Sequence, residues 1–484
     1  MVNNKTDSNL TALRYTEEAA LRTLPANPVW YSLEPNTYSD YGSQVTLVAR
    51  NPINSSRQQK KGVITDLDAS GGFNQDLTFS NTTRLLQGFF FADIRELPTT
   101  TPLNGSAAIA VQDFKSGVLT LASNPGFAVN DMVLVQGFTN GVNNSSAIVT
   151  KVDGNTITLS PNVAWVDEAP TAAVSVQKVG IGVNGNVAQS GGLYTLSLDG
   201  VDFTKQNLIP GCWVFLGGWG FARVSVVSAG QLTFDKVVAS NPAAPFVGLF
   251  LGNILKNEDD SSLIKRRTYQ VERELGNDGN GVMSEYLVGA VPNEFTLNVS
   301  QASKVTADLT FVALDNEQRT GAQGLKAGTR LSISPEDAFN TSTDISHIGL
   351  SQVDPSNAVV TPLFAFASEM KLTLNNNVTV NKAIGVLGGF DTSAGIFEVS
   401  GSQTVYFGSV EAVQAVRNNA DVSFEMIIKK GNQGIVFDMP LLSLSDGRLS
   451  VTANQAITLP LTLNAAESKY THTLLYQAFP YLPD

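Results

Sequence analysis

The side chains able to do chemistry are few, and their spacing does not assemble them. Two histidines, His347 and His472, stand in unrelated contexts with no partner at metal-ligand spacing, and each reads as a hydrogen-bonded structural residue. The single cysteine, Cys212, precedes Trp213 in an apolar strand-like run, which fits a small core residue better than a nucleophile. Gly276 to Gly281, with Asp278 and Asn280, superficially matches a phosphate or calcium loop. It lacks the Lys-Ser/Thr of the first and the ligand number of the second, so a hairpin turn is the better reading. Asp66 and Asp68 share one face of a strand by period two, and so do Glu272 and Glu274. Such pairs can hydrolyse glycosides across a cleft, but no aromatic sugar platform flanks them here. A solvated strand face and an acidic stripe lining a channel are the other readings. Arg50, Arg57, Lys60 and Lys61 form the one basic cluster, in a loop beginning at Asn51-Pro52. It reads as a solvated loop or as a salt-dependent contact with an acidic face of a neighbouring subunit, with DNA contact a third choice. No catalytic constellation, cofactor loop or metal cluster emerges, so the expectation is a protein without enzymatic activity.

The elements that must carry these residues are short strands. At 484 residues the chain is long enough for two to four domains. Charged residues make up 15% and hydrophobic ones 43%, so Ser, Thr, Asn, Gln and Gly must cover most of the surface. Together with 41 Gly and 20 Pro, this composition suits strands joined by tight turns. The net charge of -12 argues against gripping nucleic acid, because phosphate neutralisation needs a basic footprint. An acidic wall would let a polyanion slide past instead. One cysteine permits no intrachain disulfide. The polar start and the lack of an 18-residue apolar run predict production in a reducing cytoplasm without a membrane span.

Two repeats organise the chain. Ser70-Gly71, a strand ending at Phe79 and an apolar-spaced stretch through Leu85, Leu86 and Phe89 are matched by Ser400-Gly401, a strand ending at Phe407 and a stretch through Val413 and Val416. Each copy then reaches a strand with an aromatic residue, Tyr269 or Phe424, and a Gly-Asn turn, Gly276-Asn277 or Gly431-Asn432. The first copy carries a long insertion, opened by Pro98 to Pro102 and closed by Asn257 to Asp260. Inside it a smaller unit recurs: Gly117, Ala147 and Ile157 find counterparts 75 positions later at Gly192, Ala222 and Leu232, and Met132 matches Cys212. Each small unit reads as four strands forming a barrel or sandwich. Short helices are predicted over Thr16 to Leu24, Thr82 to Phe90 and Ser409 to Arg417.

At this point the ordered series resembles tail tube proteins of long, non-contractile-tailed bacteriophages. The series comprises Tyr15-Thr-Glu-Glu18, Thr23-Leu-Pro25, Trp30, Arg57-Gln58, Lys61-Gly62, Ser70-Gly71 and Leu85-Leu86-Gln-Gly88. Met370 to Asn377, Gly385, Ser400-Gly401, Tyr406-Phe407 and Thr458-Leu-Pro460-Leu461 repeat it, so the likeness covers 1–97 and 257–484. The resemblance implies two tandem tail-tube-type β-sandwich or barrel domains with short helices, plus the inserted β-barrel-like modules. The expected division is 1–100 and 255–335 for the first tube domain, 101–175 and 176–254 for the modules, and 336–484 for the second tube domain. It further implies stacked rings of six tube domains, here three chains or, failing that, six. A hollow tail for viral DNA and a tape-measure protein would result, capped by tail terminator and distal tail proteins. Arg50 to Lys61 sits where a loop of such proteins reaches the next ring, and Asp66, Asp68, Glu272 and Glu274 are the candidates for the lumen.

A carbohydrate-binding adhesin or tail fibre is the alternative, with Trp213 and Trp219 as sugar platforms on the modules. Under the tube reading, the modules decorate the outer surface, and deleting 101–254 leaves assembly intact.

Overall fold

The computed structural model describes residues 6–483 except 54, 56–57, 98–107, 125, 162, 183–184, 240–245, 278, 280 and 360–361. The linker Pro98 to Pro102, the cluster member Arg57 and the loop residues Asp278 and Asn280 lie outside the described residues. Strands dominate, as the composition requires. The α-helices among the described residues are Thr83–Phe90 and Glu411–Arg417.

The large repeat is a repeat of topology, strand for strand. In the first half, the antiparallel ladder runs Ala12–Glu17, Tyr269–Asn277, Val282–Ser300, Thr306–Ala313, Lys60–Asp76 and Pro35–Arg50. In the second it runs Ile345–Gln352, Val422–Lys430, Gln433–Asp446, Thr458–Ala465, Glu398–Tyr406 and Ala367–Asn375. Each long strand carries one more partner on its first half, Asp315–Arg319 in one copy and Leu475–Phe479 in the other. The helix follows the hairpin at the same place in both. The shared Ser-Gly has a packing cause: a Cβ on Gly71 would stand 2.7 Å from Leu287 Cδ1, and one on Gly401 2.7 Å from the Lys371 carbonyl oxygen. A single apolar core runs through both halves, from Leu13 and Phe73 to Phe437 and Tyr476.

Thr16 to Leu24 is not a helix. The strand Ala12–Glu17 continues through Glu18, whose amide donates to the Thr268 carbonyl, and the chain then turns at Arg22 with φ 62. The buried Glu18 carboxylate accepts from the Arg22 amide at 2.9 Å, Thr268 Oγ1 at 2.6 Å, Gln270 Nε2 at 3.0 Å and the Gly289 amide at 3.1 Å. An acidic residue that resembled a helix start instead gathers donors from three segments.

The insertion forms two six-stranded units of identical strand order. In the first, Ile109–Lys115, Val118–Leu121, Thr156–Leu159, Ser146–Asp153, Asp131–Gln136 and Ser175–Ile181 pair in sequence, and the last returns to the first to close a barrel. The second runs Gly185–Ser190, Leu193–Leu198, Leu232–Ala239, Gly220–Val227, Trp213–Leu216 and Leu249–Leu251. Its last strand pairs with Ser175–Ile181, which joins the two units. The sequence repeat identified four of these six strands, because the outer two of each unit share no residue pattern.

The second unit also shares a core with the second half. Trp213, Val214, Phe221 and Leu251 pack in one cluster with Ile427, Val436, Leu475 and Phe479. The Gln477 amide ties the seam, accepting from the Trp213 amide at 2.8 Å and donating to the Trp213 carbonyl at 2.8 Å and the Gly252 carbonyl at 3.0 Å.

Candidate functional site: a continuous sheet with two open margins

The two halves meet edge to edge. The last part of Val282–Ser300 pairs with Ala367–Asn375 in register from Glu294 opposite Asn375 to Ser300 opposite Glu369. This joint fuses four strands of each half into one eight-stranded antiparallel sheet, from Pro35–Arg50 at one margin to Gln433–Asp446 at the other.

Alternation is clearest in Thr306–Ala313 and Thr458–Ala465. Thr306–Ala313 buries every second residue, and Ala307, Leu309, Phe311 and Ala313 enter the core. The other face is polar and built in rows. One row reads Asn74, Asp308, Thr296, Thr373, Ser400, Asn464 and Ser443 across successive strands. The next reads Asp76, Thr306, Asn298, Lys371, Ser402, Thr462 and Ser445. Asn74 Nδ2 and Asn298 Nδ2 each donate to Asp308 at 2.7 Å, and the hydroxyls of Thr296 and Thr373 lie 3.1 Å apart. Carboxylates outnumber ammonium groups on this face: Asp76, Glu294, Asp308, Glu369 and Glu398 stand with Lys371 and the turn residue Lys304. Short hydroxyl and amide side chains therefore share this face with an excess of negative charge, the opposite of the basic footprint that gripping a nucleic acid requires.

The two margins of this sheet differ from the joint in lacking a second strand partner among the described residues. Ala367–Asn375, the first strand of the second hairpin, is seated on the first half. Its counterpart Pro35–Arg50 pairs with Lys60–Asp76 alone among the described residues. The acceptor in the first half is the end of Val282–Ser300, whose counterpart is the end of Gln433–Asp446. There Ser443 to Asp446 pair with Thr458–Ala465 alone among the described residues. The chain therefore carries one filled joint and both halves of a second, unfilled one. Open edges of this kind are hazards in a monomer and joining surfaces in an assembly.

The residues singled out in the sequence fall elsewhere. Asp66 and Asp68 lie on the ribbon formed by Pro35–Arg50 and Lys60–Asp76, each 2.5 Å from Lys382 Nζ. That ammonium holds Asp66 below the usual carboxylate range. Glu272 is fully buried and lines no surface of this chain. Arg14 contacts it at 2.8 Å, Arg330 at 2.5 Å and the Tyr286 hydroxyl at 2.6 Å. Burial alone would raise Glu272, but Arg330, Tyr286 and Arg14 outweigh it and hold the carboxyl low. Glu274 shares Arg14 at 2.8 Å. Arg50 and Lys60 face each other at the exposed end of the ribbon, beside exposed Lys61. The strands on either side of the Gly276 to Gly281 loop, Tyr269–Asn277 and Val282–Ser300, pair antiparallel up to Asn277 opposite Val282.

His347 sits 3.1 Å from Glu425, and His472 is buried with Nδ1 3.1 Å from the Tyr470 carbonyl oxygen. Burial lowers His472 to about 3, with Lys256 adding to the effect, so it is a neutral core residue. Burial likewise raises the Cys212 thiol to about 12, which disarms it as a nucleophile. Trp213 and Trp219 are both buried, the latter edge-on to Tyr194, so neither offers a sugar platform.

Sequence reasoning missed one buried charge cluster, because it joins two hairpins far apart in sequence, one bearing Arg223, Asp235 and Lys236 and the other Glu425 and Asp438. Arg223 bonds Asp235 at 3.0 Å and Asp438 at 3.3 Å. Lys236 donates to Ser351 at 2.7 Å, to Ser423 at 2.8 Å and to Glu425. Burial pushes Glu425 upward, but Lys236 and His347 outweigh it and bring the carboxyl down to about 2. Asp438 keeps the opposite balance: burial raises it, Arg223 offsets only part, and it stands at about 6. The cluster fastens the second inserted unit to the second half of the chain. No group of three or more His, Cys, Asp or Glu among the described residues is arranged to hold a metal.

Comparison with known proteins adds one match. The family described as phage tail tube protein matches residues 8–465. No curated protein matches the chain.

Proposed function

The chain belongs to the phage tail tube protein family, and on that premise we propose that three copies close into a ring of six equivalent tube domains. The observation that carries this reading is the filled joint between the halves. A second chain offering Pro35–Arg50 to the free end of Gln433–Asp446 repeats an arrangement already built inside the molecule. Head-to-tail joints of one kind close into rings when the rotation permits, and closed rings leave no sheet margin exposed.

The polar face of the eight-stranded sheet is then the channel wall, with Asp308, Glu294, Glu369 and Glu398 toward the lumen. Its acidity favours passage of DNA without binding it, and a tape-measure protein would fill the same space during assembly. Stacked rings form the tube of the virion tail, and terminator and distal tail proteins close its ends. The inserted units stand on the outer side, since a lumen lined by this sheet leaves them no room. The ribbon bearing Arg50, Lys60 and Lys61 projects from the ring toward its neighbour in the stack. Negative-stain microscopy of the purified, concentrated protein tests the proposal: hollow rods with axial striations and three outer lobes per ring are expected, and scattered single particles would contradict it.

A further inference from the structure

The two open margins each carry one residue more than the joint inside the chain, and they carry it in the same row of the sheet. At the filled joint that row is regular: Gly401 faces Leu372, Leu372 faces Leu297 and Leu297 faces Ala307. Gly71 faces Phe311 as Gly401 faces Leu463, and Asp76 faces Thr306 as Tyr406 faces Thr458, so Gly71 corresponds to Gly401 and Leu459 to Ala307. On the first margin, Ser39 faces Gly72 and Gly42 faces Ser70, which leaves both Asp40 and Tyr41 opposite Gly71. Asp40 takes φ 44 as the extra residue, and Tyr41 packs over Gly71, where a Cβ would lie 2.8 Å from its ring. On the other margin, the Gly447 amide donates to the Pro460 carbonyl at 3.2 Å, while Ser450 and Thr458 exchange backbone bonds at 2.8 and 3.2 Å. Arg448 and Leu449 therefore stand together opposite Leu459, after Gly447 at φ 75.

The side chains at both bulges are left uncovered in the single chain. Ser450 opposite Thr458 is the counterpart of Asn298 opposite Thr306, so Leu449 and Val451 take the places of Leu297 and Val299 on the core face. Leu297 and Val299 are 0% and 5% exposed, whereas Leu449 and Val451 are 42% and 72% exposed. Leu372 and Met370 stand opposite the buried pair at the filled joint. On the open margin their places belong to Tyr41, opposite Gly71, and Tyr38, opposite Phe73 as Met370 is opposite Gln403. These half-buried rings meet edge to face at 6.1 Å, with Arg273 over both. Asp40 and Arg448 are both exposed and have no ion pair among the described residues. Each margin thus presents an extra residue of opposite charge beside an apolar surface that lacks a cover.

We propose that the two bulges lock the register between copies: Arg448 of one copy pairs with Asp40 of the next around the ring, and Tyr41 and Tyr38 of that copy close over Leu449 and Val451. The inference rests on the ring reading and extends the acceptor past Asp446 to Val451. A straight strand would leave an unmatched residue at either bulge, so the margins select each other, and the ring joint stays distinct from the joint inside the chain.

Two measurements on the full chain decide it. Arg448→Glu, on an exposed side chain, is expected to leave monomer melting unchanged and to raise the concentration needed for ring formation by about tenfold or more. Adding Asp40→Lys to that variant is expected to recover most of the loss. Asp40→Cys with Arg448→Cys, oxidised after assembly, is expected to give a covalent species of three chains and none longer on a denaturing gel. A ladder that runs on without limit places the pair between rings and overturns the lock. Rings that form normally from Arg448→Glu, with no cross-link in the double cysteine variant, overturn the lock while leaving the ring reading in place. Absence of rings from the unaltered protein removes the ring reading and this inference with it.

Discussion

Lys236 is where a single side chain bears most weight. It is buried between Ser351, Ser423 and Glu425, so removing it strands a carboxylate rather than a solvated ion pair. Lys236→Met is expected to cost about 3–5 kcal/mol in denaturant unfolding, and a loss under about 1 kcal/mol would contradict the assignment. The same region sets the acid response. His472 stays neutral down to about 3 in the folded chain against 6.5 unfolded, so it withdraws stability as pH falls below 6.5. Asp438 takes up its proton at about 6 when folded but at 3.8 when unfolded, so it returns stability between those values. Glu425, about 2 folded against 4.5 unfolded, withdraws stability below 4.5. The melting temperature is therefore expected to change little from pH 6.5 to 4.5 and to fall steeply below that. In Asp438→Asn the decline begins at pH 6.5. None of this was visible in the sequence: Arg223 faces Lys236 and Glu425 faces Asp438 in two local hairpins, but the ion pairs that join those hairpins span 189 and 215 residues, and no local pattern marks a buried charge.

The twofold Ser-Gly pattern, by contrast, was open to reading, and it marks the equivalent strands Lys60–Asp76 and Glu398–Tyr406, whereas the order in which the strands pair is set by long-range contacts that no local pattern records. The helices Thr83–Phe90 and Glu411–Arg417 were legible from apolar spacing, although the first is buried nearly all round and the second only at Ala412 and Ala415. The helix expected over Thr16 to Leu24 failed because Glu18 satisfies distant donors, a tertiary effect that local propensity does not register. The polar sheet face went unrecognised because its rows are Ser, Thr and Asn from separate strands, whereas the charged pairs that drew attention proved to be ion-paired. At this scale Gly88 is a sharp test. A Cβ there would lie 2.7 Å from the Tyr269 ring and 2.9 Å from Pro292, so Gly88→Val is expected to destabilise by about 1–3 kcal/mol in thermal or denaturant unfolding. An unchanged melting temperature would show that the helix packs less tightly than described.

For the whole molecule, the second inserted unit shares a core with the second half of the chain and is not a removable ornament. Deleting 101–254 would uncover Ile427, Val436, Leu475 and Phe479 and leave Glu425 and Asp438 without Lys236 and Arg223. The sequence-based expectation that assembly survives this deletion is accordingly reversed: the shortened chain should aggregate, and a soluble product with cooperative melting would refute that. The central claim is that the margins Pro35–Arg50 and Ser443 to Asp446 join between molecules as the halves join within one. Amide hydrogen exchange of monomer and assembled protein tests it most directly. Peptides covering both margins should become strongly protected on assembly, to the level expected of the doubly paired Glu294 to Ser300 in the monomer. Rods in which both margins exchange as fast as in the free chain would contradict the account.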